Sequence, residues 1–220
     1  VAFSMGRLEQ ASEHYRAALD LADRVGDRHG AATWLTNLGS VMLERGLTGE
    51  ALDLLTRGIR DQERLAHTTN LASALCNQAN LLLLLGDVEQ AGRVMDRAGQ
   101  VALDLGSRHT SAFVCSLRGD LLQRQGEHAQ AAHRYEEAAG IFAELGAAAE
   151  ARLCTLYRAE ALAAGGAAKE ASHLVEQVAP DEPDKGVVAQ ARARLSLQPG
   201  ALPISQEALA ALTRRCAELD

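Results

Sequence analysis

Gly6, Gly46, Gly86, Gly126 and Gly166 stand forty positions apart, and each is followed five residues later by an alanine: Ala11, Ala51, Ala91, Ala131 and Ala171. Five matches without a slip are an internal repeat, and a repeat restricts the possible folds more than composition does. The register extends in both directions. Gly39, Ala79, Gly119 and Ala159 lie seven positions before a turn glycine, and Met42, Leu82, Leu122 and Leu162 lie four before. Downstream, Tyr15, Leu55, Met95, Tyr135 and Val175 share one column.

Within one repeat the apolar residues recur every three or four positions, as in Leu35, Leu38 and Met42 and then Ala51, Leu55 and Gly58, the period of an amphipathic helix. Each repeat is therefore predicted to hold two helices joined at the glycine. A second glycine, at Gly26, Gly106 and Gly146, is expected to close a longer second helix in a left-handed cap, with Ala66 replacing it once. The small residues at 39 and 79 are expected to face Ala51 and Ala91, letting the helices approach closely. A forty-residue hairpin cannot bury its own apolar face, so hairpins must stack. The expected fold is all-α: a right-handed α-solenoid of antiparallel helix pairs, with four to five repeats over residues 1–179.

All four prolines, Pro180, Pro183, Pro199 and Pro203, fall in one tract, which places a boundary near residue 180. Residues 180–220 read as an acidic linker, Asp181 to Asp184, followed by two helices that cap the array. At the other end, Val1 to Met5 align with Val41 to Arg45, the last turn of a first helix. The first repeat thus reads as truncated, and the chain as a segment of a longer protein.

Composition narrows the function. The formal net charge is −7 and only Lys169 and Lys185 are lysines, which argues against direct nucleic-acid binding. The longest apolar run, Leu81 to Leu85, is far short of the roughly 20 residues a bilayer requires. Four cysteines without a disulfide framework are expected to be free thiols of a reducing, cytoplasmic compartment.

The small residue, the glycine turn, and the alanine and bulky residue that follow it resemble the tetratricopeptide repeat family. The period of forty resembles its long-helix variety, found in kinesin light chains and in bacterial signal-transduction regulators such as the maltose regulon activator. Gln78, Arg118 and Arg158 stand where that family prefers leucine. The resemblance implies a superhelix whose first helices line a concave groove, and a role as the regulatory or interaction arm of a larger protein.

No phosphate-binding loop, dinucleotide fingerprint, H-E-x-x-H or G-x-S-x-G occurs in the chain, so it is read as non-catalytic and without a cofactor. Cys76, Cys115 and Cys154 are thirty-nine apart, so a drift of about 100° per repeat turns them away from one another, unlike metal ligands. Arg57, Arg60 and Arg64 read as a solvated stripe.

If Leu35, Leu38, Gly39 and Met42 point into the stack, Thr33, Asn37 and Ser40 point out of it. Translation by forty adds Asn77, Asn80 and Leu84, then Phe113, Leu117, Asp120 and Arg124, then Tyr157 and Glu160. These twelve residues form the candidate groove. The resemblance implies that asparagine at 37 and 77 binds the backbone of an extended peptide, which suits an amide that both donates and accepts. The asparagines could equally tie one repeat to the next, and Phe113, Leu117 and Tyr157 could be anchors or core. The function expected is a protein-interaction scaffold whose partner is another protein, a peptide or another domain of the parent chain. The alternative is a small-ligand or signalling-peptide sensor that changes curvature.

Overall fold

The computed structural model describes residues 2–66 and 70–178. The proposed linker and capping helices of residues 180–220 lie outside the described residues. Among the described residues there are helices and no strands: α1 (Ala2–Val25), α2 (Arg28–Glu44), α3 (Thr48–Arg64), α4 (Leu71–Leu84), α5 (Val88–Asp104), α6 (Arg108–Arg124), α7 (His128–Glu144), α8 (Ala148–Ala164) and α9 (Ala168–Gln177). None is long and apolar enough to cross a membrane.

The even-numbered helices are the first helices of the repeats and the odd-numbered ones the second. Contrary to the expectation of a longer second helix, α2, α3, α5, α6, α7 and α8 all have 17 residues. The repeat of forty is therefore two nearly equal halves, each a helix plus a three-residue connection.

Those connections follow from the glycines. Gly26, Gly46, Gly86, Gly106, Gly126, Gly146 and Gly166 all have positive φ, and Ala66 takes the same conformation at φ 50°. At Gly46 the hydrogen bonds are those of a Schellman cap: the Gly46 amide donates to Leu43 O (2.9 Å) and the Leu47 amide to Met42 O (2.9 Å). The same pair recurs at Gly86 and Gly146. The residue after the glycine opens the next helix. Asp27 and Asp87 do so as N-caps, their carboxylates accepting from the amides of Gly30 (2.9 Å) and Gln90 (3.0 Å).

Gly6 breaks the pattern: α1 runs straight through it.

The chain forms two compact units, Val1–Leu117 and Arg118–Asp220, with the boundary inside α6. In the first, α1 packs on α2, α2 on α3, α3 on α4 and α4 on α5, and α2 also touches α4. Its core gathers Leu35, Leu38, Met42, Ala51, Leu55, Leu75 and Leu81. In the second, α7 packs on α8 and α8 on α9. Ala159, Ala163, Ala171 and Val175 form one core there, and Ala131, Ala132, Tyr135 and Ala161 another.

The turn alanines Ala51, Ala91, Ala131 and Ala171 are fully buried, but the close approach is one turn away from where the sequence placed it. Gly39 faces Leu55 instead of Ala51: a Cβ at Gly39 would lie 2.8 Å from Leu55 Cγ and 3.1 Å from its backbone nitrogen. The equivalent Gly119 lies under the Tyr135 ring, whose nearest atom would be 2.6 Å from an added Cβ. The small residue thus accommodates the bulky residue four positions after the alanine.

Candidate functional site

The candidate residues divide between the two units. In the first, Thr33, Asn37 and Ser40 lie on α2, and Asn77, Asn80 and Leu84 on α4. The face they share is half-buried rather than turned out to solvent, because first helices sit between neighbours on more than one side. Leu84 is the exception, at 56% exposed. Thr33 Oγ1 donates to the carbonyl of His29 (3.0 Å), an ordinary helix-surface bond.

The asparagines part company. Asn77 Nδ2 donates to Ser40 Oγ (2.6 Å), whose hydroxyl donates in turn to Thr36 O (2.9 Å). Asn77 therefore ties α4 to α2, as the structural alternative required. Asn37 and Asn80 make no side-chain hydrogen bond among the described residues, so their amides keep their full capacity to donate and accept. Farther along the first unit, Phe113 on α6 is 40% exposed, with its ring edge-on to His109 at 5.1 Å. Leu117 instead packs against the core.

In the second unit, Asp120 Oδ1 accepts a hydrogen bond from the Tyr135 hydroxyl (2.7 Å), and the Tyr135 ring lies 5.6 Å from that of Tyr157. Tyr157 packs beside Ala131 and Ala132, so its ring belongs partly to the core. Burial raises the pKa of Asp120, as does the nearby charge of Glu160, while the Tyr135 bond and Arg124 oppose the shift. Tyr135 is pushed up by burial and by Asp120. Asp120, Arg124, Tyr157 and Glu160 thus form one electrostatic group, with Arg124 at its exposed edge.

Tyr135 escaped the sequence reading because it occupies a packing column with Leu55 and Met95. Its signal was a hydroxyl that only Tyr15 shares in that column, opposite an aspartate in the column of Ser40 and Asn80. Two of the polar residues at the family's leucine position also have a role. Gln78 Nε2 donates to Thr56 Oγ1 (3.1 Å), joining α4 to α3. Arg158 pairs with Glu136 (2.9 Å) and Glu170 (3.8 Å), joining α8 to α7 and α9.

No group of three or more His, Cys, Asp or Glu residues able to hold a metal occurs among the described residues. Cys76 and Cys154 are buried and Cys115 is half-buried, all as free thiols, and burial pushes the Cys76 pKa to about 12. In the Arg stripe, Arg57 pairs with Asp53 (3.2 Å) and Arg64 with Asp61 (4.0 Å), both at exposed positions. A cavity of about 440 Å³ opens at the helix ends, where Ala22, Asp23 and Asp27 meet Ala31, Asp61 and Leu65. None of the candidate face residues lines it.

Comparison with known proteins gives the same repeat. A tetratricopeptide repeat model matches residues 1–64, and the model of the soluble NSF attachment protein, SNAP, matches residues 49–190. A search of curated protein sequences returned no significant match. Among solved structures, BtubC (BKLC) from P. vanneervenii superposes with a TM-score of 0.73 at 13% identity, covering 96% of this chain and 92% of that one. A Rap protein complexed with competence and sporulation factor superposes at 0.80 and 18% identity, covering 97% of this chain. The chain spans 61% of that Rap protein. A putative kinesin light chain with TPR-like repeats, from Podosopora anserina, superposes at 0.61 and 16% identity over 90% of this chain and 97% of that one. These likenesses place the fold among the helical repeat solenoids. The SNAP model spans residues 49–190, more than half of the chain, and the chain belongs to that soluble NSF attachment protein family, with a tetratricopeptide repeat match over residues 1–64.

Proposed function

We propose that the chain is a non-catalytic protein-interaction scaffold that binds a segment of another polypeptide along the faces of its first helices. It would serve as the partner-binding part of a larger bacterial signalling or transcription-regulatory protein. The observation that carries this reading is the pair of amides on Asn37 and Asn80, half-buried yet bonded to no group among the described residues. Neither amide is among the buried polar atoms left without a partner, so both reach solvent and can exchange water for the backbone N–H and C=O of a ligand. Leu84 and Phe113, both apolar and exposed, supply anchoring area in the same unit.

The similarity to a Rap protein complexed with competence and sporulation factor supports a polypeptide ligand. The small-ligand reading has less behind it, because the cavity of about 440 Å³ is at the helix ends and not on this face. The test is affinity capture from lysate with the wild-type chain and with the Asn37→Ala, Asn80→Ala variant, each first checked for unchanged helicity. A polypeptide retained by the wild type and lost from the variant is expected. Equal retention by the two would remove these amides from the interface and the proposal with them.

A further inference from the structure

The cavity of about 440 Å³ in the first unit traces to two residues that line it, Ala22 of α1 and Asp61 of α3. Forty positions on, the same two columns hold Gln62 and Val101. Gln62 is fully buried, its Nε2 donating to Thr36 Oγ1 (3.1 Å), and Val101 packs against the core. A long amide and a branched apolar side chain thus take up, in α3 and α5, the room that a methyl and a short carboxylate leave open in α1 and α3. The walls run from Ala22 to Leu65 and consist of the ends of α1 and α3 and the start of α2, helices that pack in succession.

Those walls carry charge, and most of it is already matched. Asp27 is committed as the N-cap of α2, accepting from the Gly30 amide (2.9 Å), and Asp61 faces Arg64 at 4.0 Å. Asp23 and Arg28 remain: neither side chain makes a hydrogen bond or ion pair among the described residues. The next repeat differs. Glu63, which holds the Asp23 column in α3, pairs with Arg97 of α5. Arg57, the counterpart of Arg97, turns instead to Asp53 of its own helix (3.2 Å), so Asp23 is left unanswered. One free carboxylate and one free guanidinium therefore border a cavity that is otherwise lined in part by Ala22, Ala31 and Leu65. Cavities of roughly 300–1,000 Å³ with a few placed polar groups are the usual size for small ligands.

We propose that this cavity binds a free α-amino acid with an aliphatic side chain. Arg28 pairs with its carboxylate, Asp23 accepts from its ammonium group, and the side chain lies against Ala22, Ala31 and Leu65. The planar fork of a guanidinium matches a carboxylate in a bidentate pair, and opposite charges at the two poles fix the orientation of the ligand. The site is separate from the amides of the proposed groove, and its test does not depend on them.

The probe is L-leucine, titrated calorimetrically into the full chain. Two analogues of the same shape follow: isocaproate, which lacks the amine, and isoamylamine, which lacks the carboxylate. Saturable binding of L-leucine at one site is expected, with both analogues weaker by about tenfold or more, since each loses one charge-assisted pair. Asp23→Asn and Arg28→Gln change exposed side chains, so each should keep the helicity of the chain and weaken L-leucine by a similar factor. Absence of saturable binding would overturn the proposal. So would an analogue that binds as tightly as L-leucine, or undiminished binding by either variant.

Discussion

Gly39→Ala and Gly92→Ala are the same chemical change, each in the middle of a helix of the first unit, and they should alter stability in opposite directions. Glycine inside a helix is about 0.8–1.0 kcal/mol less favourable than alanine, so propensity alone would make both variants more stable. At Gly92 nothing lies within 4 Å of the added methyl, and that gain should be realised in full. At Gly39 the methyl would lie 2.8 Å from Leu55 Cγ and 3.1 Å from its backbone nitrogen. A side-chain end could swing aside, but the backbone of α3 cannot move without shifting the helix pair. Overpacking of this kind costs about 1–3 kcal/mol, which exceeds the propensity gain over most of that range and leaves Gly39→Ala destabilised by up to about 2 kcal/mol. Ala79 fills the equivalent position at 0% exposed, so alanine is tolerated where the pair is spaced for it. Urea denaturation followed by far-UV circular dichroism reads both. With a slope of about 1–3 kcal/mol per molar urea, each kcal/mol moves the midpoint by roughly 0.3–1 M. A higher midpoint for Gly39→Ala, matching that of Gly92→Ala, would refute the close approach of α2 and α3 on which this packing rests.

Two further outcomes follow from the polar groups. Asn77→Ala should lower the stability of the first unit by about 0.5–1.5 kcal/mol through loss of the bond to Ser40, whereas Asn37→Ala should leave it unchanged; equal urea midpoints for the two would show that Asn77 is not the tie between α2 and α4. Asp120, whose pKa is raised in the folded chain, stays protonated there at pH values where it is ionised in the unfolded chain, so its ionisation weakens the second unit as pH rises from the ordinary aspartate value through the raised one. Asp120→Asn, which can still accept from Tyr135, should therefore be more stable than the wild type at neutral pH, with the difference shrinking as pH falls through the raised value toward 3.8. A difference that grows on acidification would reverse the assigned sign.

The repeat, its two helices and the turns were legible because they depend on local chemistry. Left-handed φ at Gly26, Gly106 and Gly146 follows from the single residue type that adopts it without strain, and the forty-residue spacing needs only counting. The equal lengths of the two helices were less visible, since neighbouring elements decide where a periodic pattern stops. Gly6 shows the same limit: its sequence context matches the other turn glycines, and the structure continues the helix through it.

The candidate face was harder to read. Periodicity correctly put Leu35, Leu38 and Met42 inside, and it grouped Asn37, Asn77 and Asn80 together on the opposite side. It could not separate Asn77, bonded to Ser40 across thirty-seven positions, from Asn37 and Asn80, because that distinction depends on which side chain the neighbouring helix presents. For the same reason Leu117 went to the core and Phe113 to the surface, although each occupies an outward column of the same helix. The sequence by itself determined the helices, the period and the residues that turn inward, since those are properties of one chain segment and its backbone. The partner of each half-buried polar group and the residue that each glycine accommodates were decided by tertiary structure alone, because each depends on how close two distant helices come.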